Sequence, residues 1–399
     1  MKKVIGLLLV LLTLSSCGYG EDIDKQAFVI AVGVEEGTQY NLRTTFVFAN
    51  PSSQGGEEGK SKDSEKSEDI VTIEAPTIHS AIRRLNSVKS KKINMTHTKI
   101  IVLSEELAKK GVKSLIDGFV SARDFRPNTF VCVSVGSADE YLRSVKPKQE
   151  AFVEKYYDHM MRKVVTDSVN EAYLYYLYFN MEDGSCASIV PLVGKNEDDF
   201  PKEKTKETIY DDFAINEYAG QIAEKAENKA EITGSAIFNS DRMIGKIGSL
   251  YTDIARFIGG EFYPDNYSIT NPSTNEYVTV RLLQNSKPTV KTNINGHKPT
   301  VQIKIPISIE YIAPSGIETK EESDSFLNYM CIQLENKAKE LINYTQQGEG
   351  ADFLGIGEAV KKHFLDINSW QSFNWRQKYK NAEIDVDFEV KTINFEETR

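Results

Sequence analysis

The sequence is short of the residues that most protein chemistry requires. It holds four cysteines and five histidines in 399 residues, and neither set clusters. His79, His97, His159, His297 and His363 are scattered. No cysteine stands near any of them at the spacing of a tetrahedral zinc site, which argues against a metal centre. Cys132, Cys186 and Cys331 form an odd, widely spaced set, which is no disulfide framework. Cys132 lies in a strand-like run and Cys331 in a helix-like one, so both read as small core residues, with a single bridge as the alternative. There is no Gly-rich phosphate loop after a strand and no Gly-x-Ser-x-Gly elbow. Carboxylates abound, but acid–base catalysis needs a positioned pair, and Asp158 beside His159 is not one, since neighbours on a helix point apart. Gly355-Ile356-Gly357, at a helix start, reads as close backbone packing in preference to anion binding. No cofactor and no enzyme class is indicated.

Long apolar runs are equally scarce. One stretch, Val4 to Leu12, follows the basic pair Lys2 and Lys3 and precedes Ser15-Ser16-Cys17. That is the layout of a secretory signal. The stretch is too short to span a bilayer, which takes about 20 residues. The Leu14-Ser15-Ser16-Cys17 ending resembles a bacterial lipobox, whose thiol takes a diacylglyceryl group and whose cleavage leaves the cysteine first, ready for N-acylation (palmitate). Residues 1–16 are thus expected to be removed and Cys17 to anchor the chain; an ordinary signal peptide with a chance cysteine is the alternative. Two acyl chains suffice for stable anchoring. Beyond Cys17 no second apolar run of membrane length occurs, so the remainder should lie outside the bilayer.

The formal net charge is −10. Such a chain gains nothing from counterion release at phosphates, which excludes nucleic acid as a partner class. Anionic headgroups should repel it as a whole, leaving the acyl chains to hold it at the membrane. With 40% hydrophobic and 27% charged residues, it has the composition of an ordinary globular protein of two or three domains.

Patterning supplies the elements. Ile23 to Val34 and Tyr40 to Ala49 read as a hairpin, with Gly33 and Gly37 bracketing its turn. Residues 51–69 are rich in Ser, Gly, Glu and Lys and cannot offset their ordering entropy, so a mobile loop is expected. Val71 to Glu74 and Lys99 to Leu103 read as strands, and Phe130 to Val135 alternates as one. Thr77 to Val88 and Val112 to Ser121 are helical. Ser104 is an N-cap, and Ser137 with Glu140 a capping box. Aromatic-rich helices at Gln149 to Val164 and Val169 to Asn180 carry tyrosines read as packing. A connecting segment, 194–230, separates an N-terminal domain, 17–193, from a C-terminal one, 231–395. In the latter, Glu231 to Phe238 and Met243 to Ile247 pair about a turn, and Tyr251 to Ile258 is a short helix. Tyr277 to Leu283, Thr289 to Ile294 and Thr300 to Ile312 are successive strands, with Asn295-Gly296 as a two-residue hairpin signal. A long helix over Ser323 to Thr345 presents an unbroken apolar stripe. Asp352 to Phe364 is a further helix, and Ile384 to Val390 a last strand. The fold class is α+β, multi-domain, with a C-terminal antiparallel sheet packed against a long helix.

Four stretches of this chain resemble the Ger(x)C family of spore-germination lipoproteins, the C subunits of germinant receptors. They are Glu21 to Val29; His97 to Leu103 with Glu105 to Gly111; Arg126 to Thr129 with Gly136, Ala138 and Glu140; and Gly234 to Phe238 with Asp241 to Gly245 and Gly355 to Ala359. Each is unspecific alone, but they follow the family's order over nearly the whole chain. Gly18 stands where the family usually has Trp, and Lys391 to Asn394 where it usually ends in Arg-Arg-Thr-Gly. The resemblance implies a non-enzymatic lipoprotein that assembles with an integral-membrane A subunit and a transporter-like B subunit in the spore inner membrane. It transfers no catalytic residue; Cys17 is the one site residue. The competing reading is a lipoprotein that captures a nutrient itself. Such proteins alternate strands and helices around a cleft, and the successive strands from Tyr277 to Ile312 depart from that pattern.

Overall fold

Unbroken apolar runs such as Ile100 to Leu103 have no wet side, so a strand built from one must be covered on both faces. That is how they are used. The structure, a computed structural model, describes residues 23–49, 69–122, 124–148, 150, 152–162, 172–183, 187–197, 211–222, 224–313, 316–347 and 350–392. Residues 1–16, Cys17, Cys186, all but the last residue of the expected 51–69 loop and much of 194–230 lie outside that range.

The first body is a nine-stranded mixed sheet between two helical layers. At its centre β1 (Gln26–Glu36), β5 (Ile100–Ser104), β6 (Phe130–Val135) and β7 (Ser188–Lys195) run parallel. The short β4 (Lys92–Asn94) extends β5's edge of β1. Beyond β1 lie β2 (Leu42–Phe48) and β3 (Ile70–Ala75), each antiparallel to its neighbour. Alternate residues feed two cores. Val32, Ile101, Leu103, Val131 and Val133 pack under α1 (Ile78–Val88), α2 (Glu105–Lys110), α3 (Lys113–Ser121) and α6 (Leu174–Asp183). Ala31, Ile100, Val102, Phe130 and Cys132 face α4 (Ala138–Ser144) and α5 (Val153–Met161). Side-chain caps start these helices: Ser104 Oγ accepts from Leu107 N at 3.3 Å and Ser137 Oγ from Glu140 N at 3.2 Å, though of the expected Ser137–Glu140 capping box only the Ser137 half forms. The Glu140 carboxylate lies 4.0 Å from Lys195 Nζ.

The second body is a five-stranded sheet with one dry face. Its spine is β13 (Thr300–Ala313). One edge of β13 is shared by two strands end to end: β12 (Thr289–Asn293) pairs with Thr300 to Lys304, and β11 (Tyr277–Gln284) with Ile307 to Ala313. The other edge takes β14 (Glu383–Thr392), and β10 (Asp265–Thr270) flanks β11. Val301, Ile303, Ile305, Ile307 and Ile309 point inward and are at most 1% exposed. Each such side chain contributes about 1.5–3 kcal/mol. They meet Phe326, Leu327, Met330, Leu334, Ala338 and Leu341 on α8 (Lys320–Gln346), opened by a capping box between Thr319 and Glu322. α7 (Ser249–Gly259) joins the same core.

Four other expectations change. β14 is parallel to β13, because the chain crosses the sheet through α8 before returning. The loop between β12 and β13 spans residues 294–299, since Asn293 pairs with Thr300; Asn295-Gly296 is inside it and makes no two-residue turn. Gly33 lies within β1, where a Cβ would come 2.8 Å from Leu142 Cδ1; the turn itself is 37–41. The Asp352 to Phe364 segment is helical only at α9 (Ile356–Lys361), because Gly355 is left-handed at φ 76°.

The hairpin of β8 (Ala230–Asn239) and β9 (Arg242–Ile247), placed by its sequence position in the C-terminal domain, is hydrogen-bonded to β7 and completes the first sheet. β8 serves both bodies. Ala236 and Phe238 enter one N-terminal core, while Ile237 joins the C-terminal core with Ile247 of β9. This hairpin is the seam of the molecule.

Candidate functional site

The sequence nominates one site residue, Cys17, and it lies outside the described residues. The other nominated groups fall apart spatially. His97 packs at a tilt against Phe28 with centroids 4.6 Å apart, His159 Nδ1 meets Glu150 at 2.8 Å, and His363 Nε2 meets Thr292 at 2.6 Å. His79 and His297 are exposed. Among the described residues no three His, Cys, Asp or Glu side chains gather to hold a metal, and no helix is long and apolar enough to cross a membrane. The thiols of Cys132 and Cys331 are free. Burial pushes the Cys132 thiol well up. Cys331 is only half-buried on α8, not in the core, and burial, with Glu335 and Asp387 nearby, pushes its thiol up to about 11.

The Gly355-Ile356-Gly357 turn does hold an anion, and the anion is the chain's own. Asp352 accepts from Ile356 N at 3.2 Å and Gly357 N at 2.5 Å, and from Trp375 Nε1 at 2.8 Å. Its burial raises the carboxyl above its ordinary value, against the pull of those donors. A Cβ on Gly357 would stand 2.8 Å from the Trp375 ring, so close packing is also real there. The turn fastens α9 to α11 (Trp375–Tyr379), with α10 (Ile367–Phe373) between them in sequence.

The seam is built from polar contacts that sequence could not align. Lys246 Nζ on β9 meets Glu105 Oε2 on α2 at 3.1 Å. Burial works to raise the Glu105 carboxyl, but Lys109 and Lys246 hold it below its usual range. On the C-terminal side Tyr251 Oη donates to Glu340 at 2.6 Å, and Thr252 Oγ1 to Ser235 on β8 at 3.2 Å. Buried Glu231 accepts from Asn196 and from the backbone of Gly220 and Ile222. Arg256 is 2% exposed, donates to the Glu261 carbonyl at 3.2 Å and lies 3.8 Å from Asp253, which accepts from Tyr267 Oη at 2.9 Å.

Three clefts adjoin these elements. The largest, about 600 Å³, runs between α7 and α9, with Ile258, Val290, Ile303 and Leu354 in its walls and Arg256, Lys287 and Lys362 among its cations. A second, about 550 Å³, is lined by Lys146, Tyr156 and the His159–Glu150 pair. The third, about 440 Å³, opens at the seam beside Gly245 and Tyr344. Their linings contain no serine or cysteine; Thr345 in the third shares its hydroxyl with Ile342 O and Tyr379 Oη. Among the described residues no nucleophile–base pair is assembled in any of them.

Comparison with known proteins fits this architecture. Residues 20–195 match the family described as spore germination protein N-terminal domain, and residues 233–396 the family described as spore germination B3/GerAC like, C-terminal. Spore germination protein KC of Bacillus subtilis (strain 168) is 19% identical over 406 residues, covering 97% of this chain and 93% of that protein. Spore germination protein B3 of the same organism is 20% identical over 403 residues, covering 97% and 96%. The crystal structure of the GerBC protein superposes with a TM-score of 0.57 at 14% identity, covering 91% of this chain and 97% of that one, and so shares its fold. The C-terminal match begins inside β8, whereas that strand is bonded into the N-terminal sheet. With both halves matched in order across nearly its whole length, the chain belongs to the GerAC-like family of spore germination proteins.

Proposed function

We propose that the chain is a lipid-anchored, non-enzymatic subunit of a spore germinant receptor, working beside integral-membrane A and B subunits on the outer face of the membrane that becomes the spore inner membrane. The observation that carries this is the ordered match of both family domains over residues 20–195 and 233–396, behind a sequence with a lipobox-like ending at Cys17. The two bodies, joined by a shared hairpin, suit a part that presents fixed surfaces to partners. The test is Cys17→Ala in the sporulating cell, with redundant receptors removed. The variant should fold, leave the membrane fraction and lower nutrient-triggered germination. Full membrane retention without the partners would overturn the anchor. Deletion with unchanged germination and unchanged partner levels would overturn the receptor role.

A second reading, direct capture of a nutrient, is favoured by the 600 Å³ cleft with apolar walls and the cations Arg256, Lys287 and Lys362. Such a mixture suits a small organic acid. Calorimetry of the purified chain against candidate nutrients decides it, and tight, saturable binding lost in Lys287→Glu would promote it.

A further inference from the structure

The acidic character of this chain reverses in several stretches: residues 75–103 hold six lysines and arginines and residues 277–309 hold five, with no carboxylate in either, and a further one lies near the C-terminus. Residues 361–380 contain Lys361, Lys362, Arg376, Lys378 and Lys380 against the single carboxylate of Asp366, in a chain of net charge −10. The same stretch contains both tryptophans of the protein, Trp370 and Trp375. At its tip Leu365 is 104% exposed and Ile367 51% exposed, and residues 365–369 are exposed without interruption. No other large apolar side chain among the described residues is as exposed as Leu365.

The tip is held out by a firm base. Phe364 packs on Phe373 at 4.9 Å and on Trp370 at 5.6 Å between centroids. Trp370, Trp375 and Tyr379 are buried beneath. Lys378 Nζ rests 4.0 Å over the Phe373 ring, one ring away from Phe364, and Arg376 and Lys380 line one shallow hollow beside Asn374. Asp366 is engaged locally: its carboxylate accepts from Ser369 N at 2.9 Å and Ser369 Oγ at 2.6 Å as the cap of α10. An apolar tip projecting into water, with Lys361 and Lys362 close in sequence and aromatics behind it, marks a contact surface for something both apolar and anionic.

We propose that this ledge docks on an anionic lipid surface, with Leu365 and Ile367 entering the headgroup–acyl boundary and Lys361, Lys362 and Lys378 meeting lipid phosphates. Two features favour a bilayer over an acidic protein. The tip is convex, whereas the strongest protein contacts fill well-packed pockets. Its pairing of projecting aliphatics with cations is that of interfacial segments. Basic side chains near an anionic bilayer each add attraction within a Debye length. The rest of the body is repelled by the same surface, so the ledge orients it, with the C-terminal domain toward the lipid. The proposal draws on the Cys17 anchor only for proximity.

The test is flotation of the full chain with phosphatidylglycerol or phosphatidylcholine vesicles. Every arm carries Cys17→Ala, so the N-terminal segment is common to all. Leu365→Asp with Ile367→Asp, and separately Lys361→Glu with Lys362→Glu, should each weaken partition onto phosphatidylglycerol by about tenfold or more. Added salt should erase the difference made by the lysine pair. Phe179→Asp, at a position 62% exposed on α6 beside Glu182, should change nothing. Equal partition of the parent onto both lipids, or of both ledge variants and the parent onto phosphatidylglycerol, overturns the proposal. Ledge-dependent capture of an acidic protein with no vesicle binding does so too. Failure of the anchor shows separately, as equal membrane fractions of the wild type and Cys17→Ala in cells.

Discussion

The two sheets of this protein solve the burial problem differently. The N-terminal one is covered on both faces, and its central strands are apolar at nearly every position; the C-terminal one packs one face on its helices, and β13 alternates Val301, Ile303 and Ile305 with the more exposed Gln302 and Lys304, while Ser308 farther along is buried against Asn285. A strand with two dry faces carries no parity information, because a slip of one residue exchanges one apolar side chain for another. A strand with one dry face specifies its register outright. The parallel ladders of β1, β5, β6 and β7 run without a register shift, so their register rests on packing beyond the apolar pattern. The C-terminal sheet depends on its pattern.

The contrast can be tested by placing the same charge on each. Val102→Lys buries an unpaired ammonium at a fully buried position and should cost about 4 kcal/mol or more. Gln302→Lys on the wet face of β13 should stay within about 0.5 kcal/mol. Both are read by urea unfolding followed by circular dichroism. Comparable losses from the two would break the comparison.

Next in size are two glycines that sit against side chains. Gly357→Ala drives a methyl group into the Trp375 ring and toward the Asp352 carboxylate, neither of which can retreat, and should cost about 2–3 kcal/mol. Gly33→Ala meets the end of Leu142, which can turn aside, and should cost about 1 kcal/mol. Because both tryptophans lie in the C-terminal body, indole fluorescence reports the first substitution directly and the second only through the seam. An order of effects opposite to this would mean that the Asp352 turn is looser than its hydrogen bonds indicate.

Acid should act on the two bodies with opposite sign. Glu74, in the N-terminal sheet, accepts from Gln39 N at 2.8 Å and from Thr38 N at 3.1 Å, and these hydrogen bonds lower its carboxyl to about 2. Its native value is below its unfolded one, so the stability it adds is complete above about 4.5 and is lost as the pH falls toward 2. Asp352 is raised by burial above its ordinary value of 3.8, so its contribution is present below that value and is lost as the pH rises through the native one. Glu74→Gln should flatten the acid limb of N-terminal hydrogen exchange and leave the tryptophan signal alone. A parallel change in both signals would show that the bodies unfold as one. Smallest of all is Lys246→Ala, which removes a part-exposed ion pair between the seam hairpin and α2 of the first body and should cost about 0.5 kcal/mol in thermal unfolding.

How far each region could be read in advance follows from the same difference. The stripe on α8, the alternation of β13 and the caps at Ser104 and Ser137 rest on neighbours in sequence, and all were legible. β7 was not, because Pro191 within Ser188–Lys195 argues against an interior strand; the ladder with β8 is irregular there, between Pro191 and Val193. β10 was hidden by its polar residues, and α10 and α11 are too short to show a period. The ledge was concealed by arithmetic over the whole chain: a net charge of −10 conceals a basic stretch of twenty residues, and exposure of Leu365 is a property of the folded surface alone.

By itself, then, the sequence determined most of the elements, the multi-domain α+β class and the family, all of which depend on residues close together or in fixed order. Only the tertiary structure decided which strands share a sheet. β8 lies next to the C-terminal domain in sequence yet pairs with β7, some forty residues earlier, and it lends alternate side chains to both cores. β14 returns parallel to a strand it follows by about seventy residues. Such pairings are chosen by backbone hydrogen bonds and buried area between distant segments, and no local pattern encodes them.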